Sequence, residues 1–397
     1  MYEKQNEYDI TLEAHKSILS KLEGLSEKIK TKRFFLGFDG YIDSLYSLAK
    51  TRESLSEWER MDQMSIFGQR ILDVAGSSAN VERVLKRKIS GGFAPNTCKA
   101  VNGLGIEVCL MASIGFPEVD QLFSSLAERQ NIKALPIGNP GETLGLEFDD
   151  GKIMLTDFEN IYKITWNSIL ERIGQEALFR ELEHADAMGF GHWSLLLAMD
   201  DIWTHLIEEI FPSLSNIDQK LFFVDLADIK KRKKKDIQTM LKILAKANEQ
   251  VPVMLSLNDQ EAIDISKALD DVPTIEPNKE NYGDYIDAGN KLNQKIGISY
   301  LVIHSPHFAT ISTPSEHYWV TEGFTSKPSY TTGAGDHFHS GVAVGISCDL
   351  EPQEAILIGN ALTAIFVRTG DSPDFMMLSK FIQRYMEYIE TDNPKFP

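Results

Sequence analysis

Cysteine is scarce in this sequence. Its 397 residues include three, Cys98, Cys109 and Cys348. They are widely spaced and odd in number, which rules out a disulfide framework and suits reduced thiols in a cytosol. No CxxC pair offers a zinc site. No stretch approaches the ~18 consecutive apolar residues of a membrane helix. The opening MYEKQNEYDI has no apolar segment of the kind that marks a secretory signal. Positive charge is also short: 40 Lys and Arg stand against 58 Asp and Glu, a net charge of −18. A balance of that sign disfavours nucleic acids and anionic membranes, although local donors can still hold a small anion. The run Lys230 to Lys235 is the exception and reads as a solvated helix or loop face. Two phosphate signatures are missing as well, the GxxxxGK[ST] loop and the GxGxxG fingerprint. These absences lead to an expectation of a cytoplasmic protein with neither nucleic acid nor membrane as partner.

What is present suits a large enzyme core. The chain is 43% hydrophobic and long enough to bury roughly three quarters of its unfolded surface. Apolar residues recur at helical spacing from about 9 to 32, which predicts an N-terminal helical extension over 1–32. RFFLGFDGYID then reads as a strand running into a turn. Residues 54–75 read as a helix, and SSANVERVLKRKIS as a basic strand. GGFAPNTCKAVNGLG is a Gly-rich turn opening a helix, with Asn96 and Thr97 near its cap. TLGLEFDDGKIMLTDF reads as a hairpin with Asp150-Gly151 as a type I′ pair.

Further along, ADAMGFGHW, KLFFVDLAD, VPVMLSLND and YLVIHS are short apolar strands. Helical stretches at 166–183, 200–210, 236–249, 259–270 and 282–297 separate them. Strands alternating with helices predict an α/β fold over 33–397, a central, mostly parallel sheet flanked by helices. Ligands then bind at the C-terminal ends of the strands. Segments 44–90 and 135–165 break the alternation and are expected to form a small lid subdomain.

One stretch carries the chemistry. TTGAGD runs straight into the apolar HFHSGVAVG. Backbone amides of Gly333, Ala334 and Gly335 can converge on one point at a helix start, where the dipole adds positive potential. Asp336, in the first turn, can accept the proton of an alcohol that attacks phosphorus there. A tight strand-to-helix turn with a dipole-matching acid explains the same letters equally well.

TTGAGDHFHSG resembles the second signature of the ribokinase/PfkB family of carbohydrate kinases. GGFAPNTCKAVNGLG resembles the first, and the two occur in the family's order. The resemblance implies a ribokinase-like fold and transfer of the γ-phosphoryl group of ATP, with Mg²⁺, to a hydroxyl of a sugar or sugar-like molecule. It implies Asp336 as base, with Gly333, Ala334 and Gly335 forming the anion hole. Asp43, with Asp39 as second choice, would hold the acceptor beside Gly91, Gly92 and Asn96. Asn258 and Glu261 in SLNDQEA match an Asn-x-x-Glu motif that organises Mg²⁺ and its waters, and Asn-x-x-Glu is also a capping-box pattern. Asp225 and Asp228 fall where related kinases keep an acid near the phosphates, and Asn360 matches a helix beside the nucleotide base. His192 and Trp193, at a strand end, read as a packed pair near the substrate. Lids in this family often pair into homodimers.

The chain departs from the family at two places. Tyr330 stands where an Asp usually precedes Thr-Thr-Gly, and the nucleotide-loop segment IHSPHFAT has no glycine. GFDGYIDSLY is also similar to ADP-dependent sugar kinases of the same fold. The donor is therefore ATP or ADP, and a ligand-binding or regulatory protein built on the kinase fold is the alternative from another class.

Overall fold

The structure, a computed structural model, describes residues 4–270, 272, 275 and 283–396. RFFLGF forms strand β1 (Arg33–Phe38), apolar from its second residue onward. Phe34 and Leu36 pack into one core and Phe35 into another, which is the signature of a strand covered on both faces. The same logic builds β5 (Glu107–Ala112), β9 (Ala187–Gly191), β10 (Leu221–Asp225), β11 (Val253–Asn258) and β12 (Tyr300–His304). With β6 (Ile132–Pro136), β13 (Phe308–Ser312) and β14 (His317–Thr321) they form a nine-stranded sheet in the order β14-β13-β12-β11-β10-β9-β1-β5-β6. Pairing is parallel except at β12–β13 and β13–β14. The C-terminal ends of β1, β9, β10 and β11 therefore share one edge, where an open α/β sheet presents its ligand site.

A second, five-stranded sheet stands over that edge. It contains β2 (Tyr41–Arg52), β3 (Trp58–Arg60), β4 (Arg83–Gly91), β7 (Gly141–Glu147) and β8 (Lys152–Asp157). β2 leaves β1 after two residues, so the two sheets are tied directly at the cleft.

Several elements differ from the sequence reading, each for a local reason. Residues 54–75 are not one helix. Trp58–Arg60 pairs antiparallel with β2, and helix begins only at Met64 and ends at Asp73; edge pairing overrides helix propensity there. The stretch 166–183 is two helices, Trp166–Ile173 and Gln175–Glu183, split at Gly174 with φ 84°. The β7–β8 connection is a four-residue loop. Gly151 alone takes positive φ in it, so Asp150-Gly151 is not a type I′ pair.

Residue 282, the first of the helix expected at 282–297, lies outside the described residues, as do residues 1–3; the helices found are Gly283–Ile296 and Lys4–Lys30. The N-terminal helix buries Ala14, Ile18, Leu22, Leu25 and Ile29 in the same core as Phe34 and Leu36. Gly341 and Gly345 lie one turn apart on the helix Ala334–Ser347. They face the helix Pro352–Thr369, where a Cβ on Gly341 would stand 2.7 Å from the Cα of Gly359. Among the described residues no helix is long and apolar enough to cross a membrane.

Candidate active site

Between the two sheets lies a cleft of about 860 Å³, lined by Asp43, Gly91, Gly92, Asn96, Gly333 and Asp336 among others. Two helices open into it. The first, Phe93–Gly103, starts at Gly92, whose φ of 106° and tight surroundings admit no side chain. Its orphan amides are met by Asp39, which accepts from Phe93 N at 3.0 Å and Ala94 N at 2.9 Å. Asp39 is thus a helix cap supplied from the β1–β2 turn, and Asn96 and Thr97 sit inside the helix rather than at its cap. Asp43 is the acid that faces the cleft. Burial raises its carboxyl, against a hydrogen bond from Thr143 and the charges of Lys152, Lys99 and His192. A Cβ on Gly91 would lie 2.6 Å from its Oδ2, so the glycine makes room for this carboxylate.

The second helix, Ala334–Ser347, begins at Gly333 with φ 94°. Asp336 occupies its first turn, with 11% of its side chain exposed. Asn96 Nδ2 donates to Asp336 Oδ2 at 2.8 Å, and His339 Nε2 is 3.8 Å from Oδ1. Burial lifts the carboxyl to about 6, more than His339 and His192 pull it down. The turn amides are not alike. Ala334 N donates to the Thr331 carbonyl at 3.2 Å and so closes the turn, contrary to its expected place in an anion hole. The amides of Gly333, Gly335 and Asp336 meet no acceptor among the described residues, as first-turn amides do.

Beneath this pair runs a network that the motif reading did not contain. His192 has Nδ1 2.9 Å from Asp39 and Nε2 3.6 Å from Asp225. Burial alone would discharge it, but the two carboxylates raise it to about 10. His339 Nδ1 stands 3.3 Å from the other oxygen of Asp225. Burial opposes the Asp225 charge, yet His339 and His192 hold it down to about 2. His192 is therefore an ionic tie, while its neighbour Trp193 is packed in the core and donates to Asp200 at 2.6 Å. The sequence singles out Asp39, Asp225 and His192 separately, and nothing in it joins them or points to His339.

Asn258 and Glu261 form a reciprocal capping box at the end of β11, with both bonds at 2.9 Å. Burial and the charge of Asp225 push Glu261 well above the usual carboxylate range. Among the described residues no group of three His, Cys, Asp or Glu side chains is arranged to hold a metal directly. A buried carboxylate facing a second one still fits Mg²⁺, which keeps several waters and takes one or two carboxylates with the phosphates.

Asn360 does not reach the cleft. It is fully buried, 3.1 Å from Tyr385 Oη and 3.5 Å from the Thr321 carbonyl. In the glycine-free segment IHSPHFAT, β12 and β13 are joined by a tight turn in which Ser305 Oγ accepts from His307 N and Phe308 N.

A model of the family described as prokaryotic ketohexokinase matches residues 10–385. A ketohexokinase from Haloferax volcanii is 29% identical over 372 residues, covering 93% of this chain and 95% of its own. Among solved structures, a probable sugar kinase from Rhizobium etli superposes with a TM-score of 0.63 at 15% identity, over 90% of this chain and 99% of that one. The Arabidopsis thaliana ribokinase solved with ribose and ATP gives 0.61 at 13% identity, over 89% and 98%. With a nine-stranded α/β sheet of this topology and a family match over nearly its whole length, the chain belongs to the prokaryotic ketohexokinase family and is a carbohydrate kinase of ribokinase-like fold.

Proposed function

We propose that the protein transfers the γ-phosphoryl group of ATP to a primary hydroxyl of a ketohexose, with Asp336 as the base. The observation that carries this is the pairing at one helix start of a buried carboxylate with the unengaged amides of Gly333, Gly335 and Asp336. The acceptor hydroxyl loses its proton to Asp336 late in a loose, metaphosphate-like transition state. The charge that develops on the equatorial phosphoryl oxygens meets the free amides and the helix dipole. Ala334 acts by closing the turn, and Gly333 by permitting it. Asp43, beside Gly91 and Gly92, accepts hydrogen bonds from the sugar's other hydroxyls and so fixes which one faces Asp336. Asn96 serves the base rather than the sugar, because its amide is already committed to Asp336.

Glu261 would hold Mg²⁺ through water, with Asn258 fixing the carboxylate by the capping box. When bound, the ion neutralises phosphate charge, a particular need in a chain of net charge −18. The smaller sheet would act as a lid that excludes competing water. In support, Lys152 of β8 donates a hydrogen bond to Thr332 Oγ1, in the turn that opens the Asp336 helix.

The test is a phosphate-transfer screen of ketohexoses, aldohexoses and pentoses, with ATP and ADP as separate donors and products resolved by mass spectrometry. A ketohexose monophosphate formed with ATP is the expected product. Turnover only with ADP, or only with an aldose or pentose, would overturn the donor or acceptor assignment respectively.

A further inference from the structure

Lys99 lines the cleft and lies within the Gly-rich first motif, which assigns it no role. It lies one helical turn after Asn96 on the helix Phe93–Gly103, so the two side chains share one face. Its ammonium is part-buried and makes three contacts: Ser90 carbonyl at 3.3 Å, Ser90 Oγ at 3.1 Å and Asn96 Oδ1 at 3.4 Å. Asn96 turns its other end, Nδ2, to Asp336 Oδ2 at 2.8 Å. An amide can flip, and only one orientation gives the base a donor. The other would turn the amide oxygen toward the carboxylate and repel its charge.

Resting on the reading of Asp336 as base, we propose that Lys99 is a positioning residue that locks the Asn96 amide so that its N–H group faces Asp336 and keeps the base ionised. A cation bound to Asn96 Oδ1 forbids the flip, because the flipped amide would aim its own N–H groups at an ammonium. Burial works against Lys99, lowering it, while the charges of Asp336 and Asp43 support its protonated form. The remaining groups facing Asp336 are His339 on its own helix, His192 at the end of β9 and Asp225 at the end of β10. His304 of β12, close to Gly335, is held to about 4 by burial and carries no charge at neutral pH. None of these side chains is hydrogen-bonded to the Asn96 amide; among the described residues its side-chain partners are Asp336 at the N–H end and Lys99 at the oxygen end.

The experiment is the pH profile of kcat for wild type, Lys99→Met, Lys99→Arg, Asn96→Ala and the Lys99→Met/Asn96→Ala pair. Thermal unfolding of each variant verifies its fold. Loss of the lock should move the acid limb of Lys99→Met upward by about one unit from its place near 6, about fivefold in rate at pH 6, with the loss shrinking to about twofold at pH 7 and vanishing by pH 9. Lys99→Arg should keep the wild-type limb. Asn96→Ala should shift the limb similarly, and the double variant little further, since both changes act on one bond. Should Lys99→Met not fold, the position of the Asn96→Ala limb decides: an unmoved limb overturns the relay. An equal loss for Lys99→Met at every pH, or additive shifts in the pair, also overturns it. Asp336→Asn separates the two claims. If that variant still turns over, the base assignment fails; if it is inactive while Lys99→Met is pH-independent, only the relay fails.

Discussion

At the scale of single residues the site is governed by buried charge. His192 is the one ring that touches both Asp39, which caps the first cleft helix, and Asp225, which reaches the second through His339. Replacing it by Gln leaves two buried carboxylates without their cation, a loss of about 3–5 kcal/mol, read as a lower Tm. The sign of the pH dependence follows from its raised value. The contribution is fully present below the ordinary histidine value of 6.5 and is lost as pH rises through about 10. Wild type should therefore lose stability over that alkaline window, and His192→Gln should lose less.

The residues legible in the sequence were those with local signatures. Gly333 and Asp336 sit in one short motif, and the Asn258–Glu261 box has helix-cap spacing. Asp39, His192, Lys99 and His339 were not legible as a unit. They come from four separate segments and are brought to one cleft, through Asp225, Asn96 and Asp336, only when the sheet edge forms. Asn360 misled because a polar residue on a helix reads the same whether it lines a cleft or bonds to Tyr385 in the core.

At the scale of elements, the site depends on two helix starts being held at fixed distance and angle. The helix carrying Asp336 is backed by Pro352–Thr369 through glycines, with Gly341 against Gly359 and Gly345 against Ala355. A methyl group on Gly341 would meet backbone, which cannot yield as a side-chain tip can. Gly341→Ala should cost about 1–3 kcal/mol by overpacking, measured by urea unfolding, and should lower kcat because Asp336 rides on the displaced helix. A Gly341→Ala variant of wild-type stability would contradict this packing account. The alternation of apolar strands and helices was visible from periodicity alone. In the five-stranded sheet β4 reads as the basic strand it is, although it is mostly exposed, whereas β3, three residues long, has no apolar period of a core strand and reads as helix.

At the scale of the whole molecule, a chain with eighteen more acids than bases handles a polyanionic nucleotide. Under the proposed function it would do so by concentrating donors in one place. Lys99, Lys152, Lys231 and Arg87 all line the cleft, alongside two helix starts. Under the same proposal the large sheet would supply rigidity and the small one cover, with the direct β1–β2 link joining the acceptor side to the base side. The donor set fits phosphoryl transfer without a glycine-rich nucleotide loop.

The central claim is that Asp336 removes the proton of the sugar hydroxyl. Its most direct test is phosphoryl transfer by Asp336→Asn to a ketohexose, followed by ³¹P NMR, with nucleotide affinity measured by calorimetry on the same sample. The account predicts a rate loss of at least about 100-fold with nucleotide affinity nearly unchanged. Transfer at a rate close to wild type would contradict it.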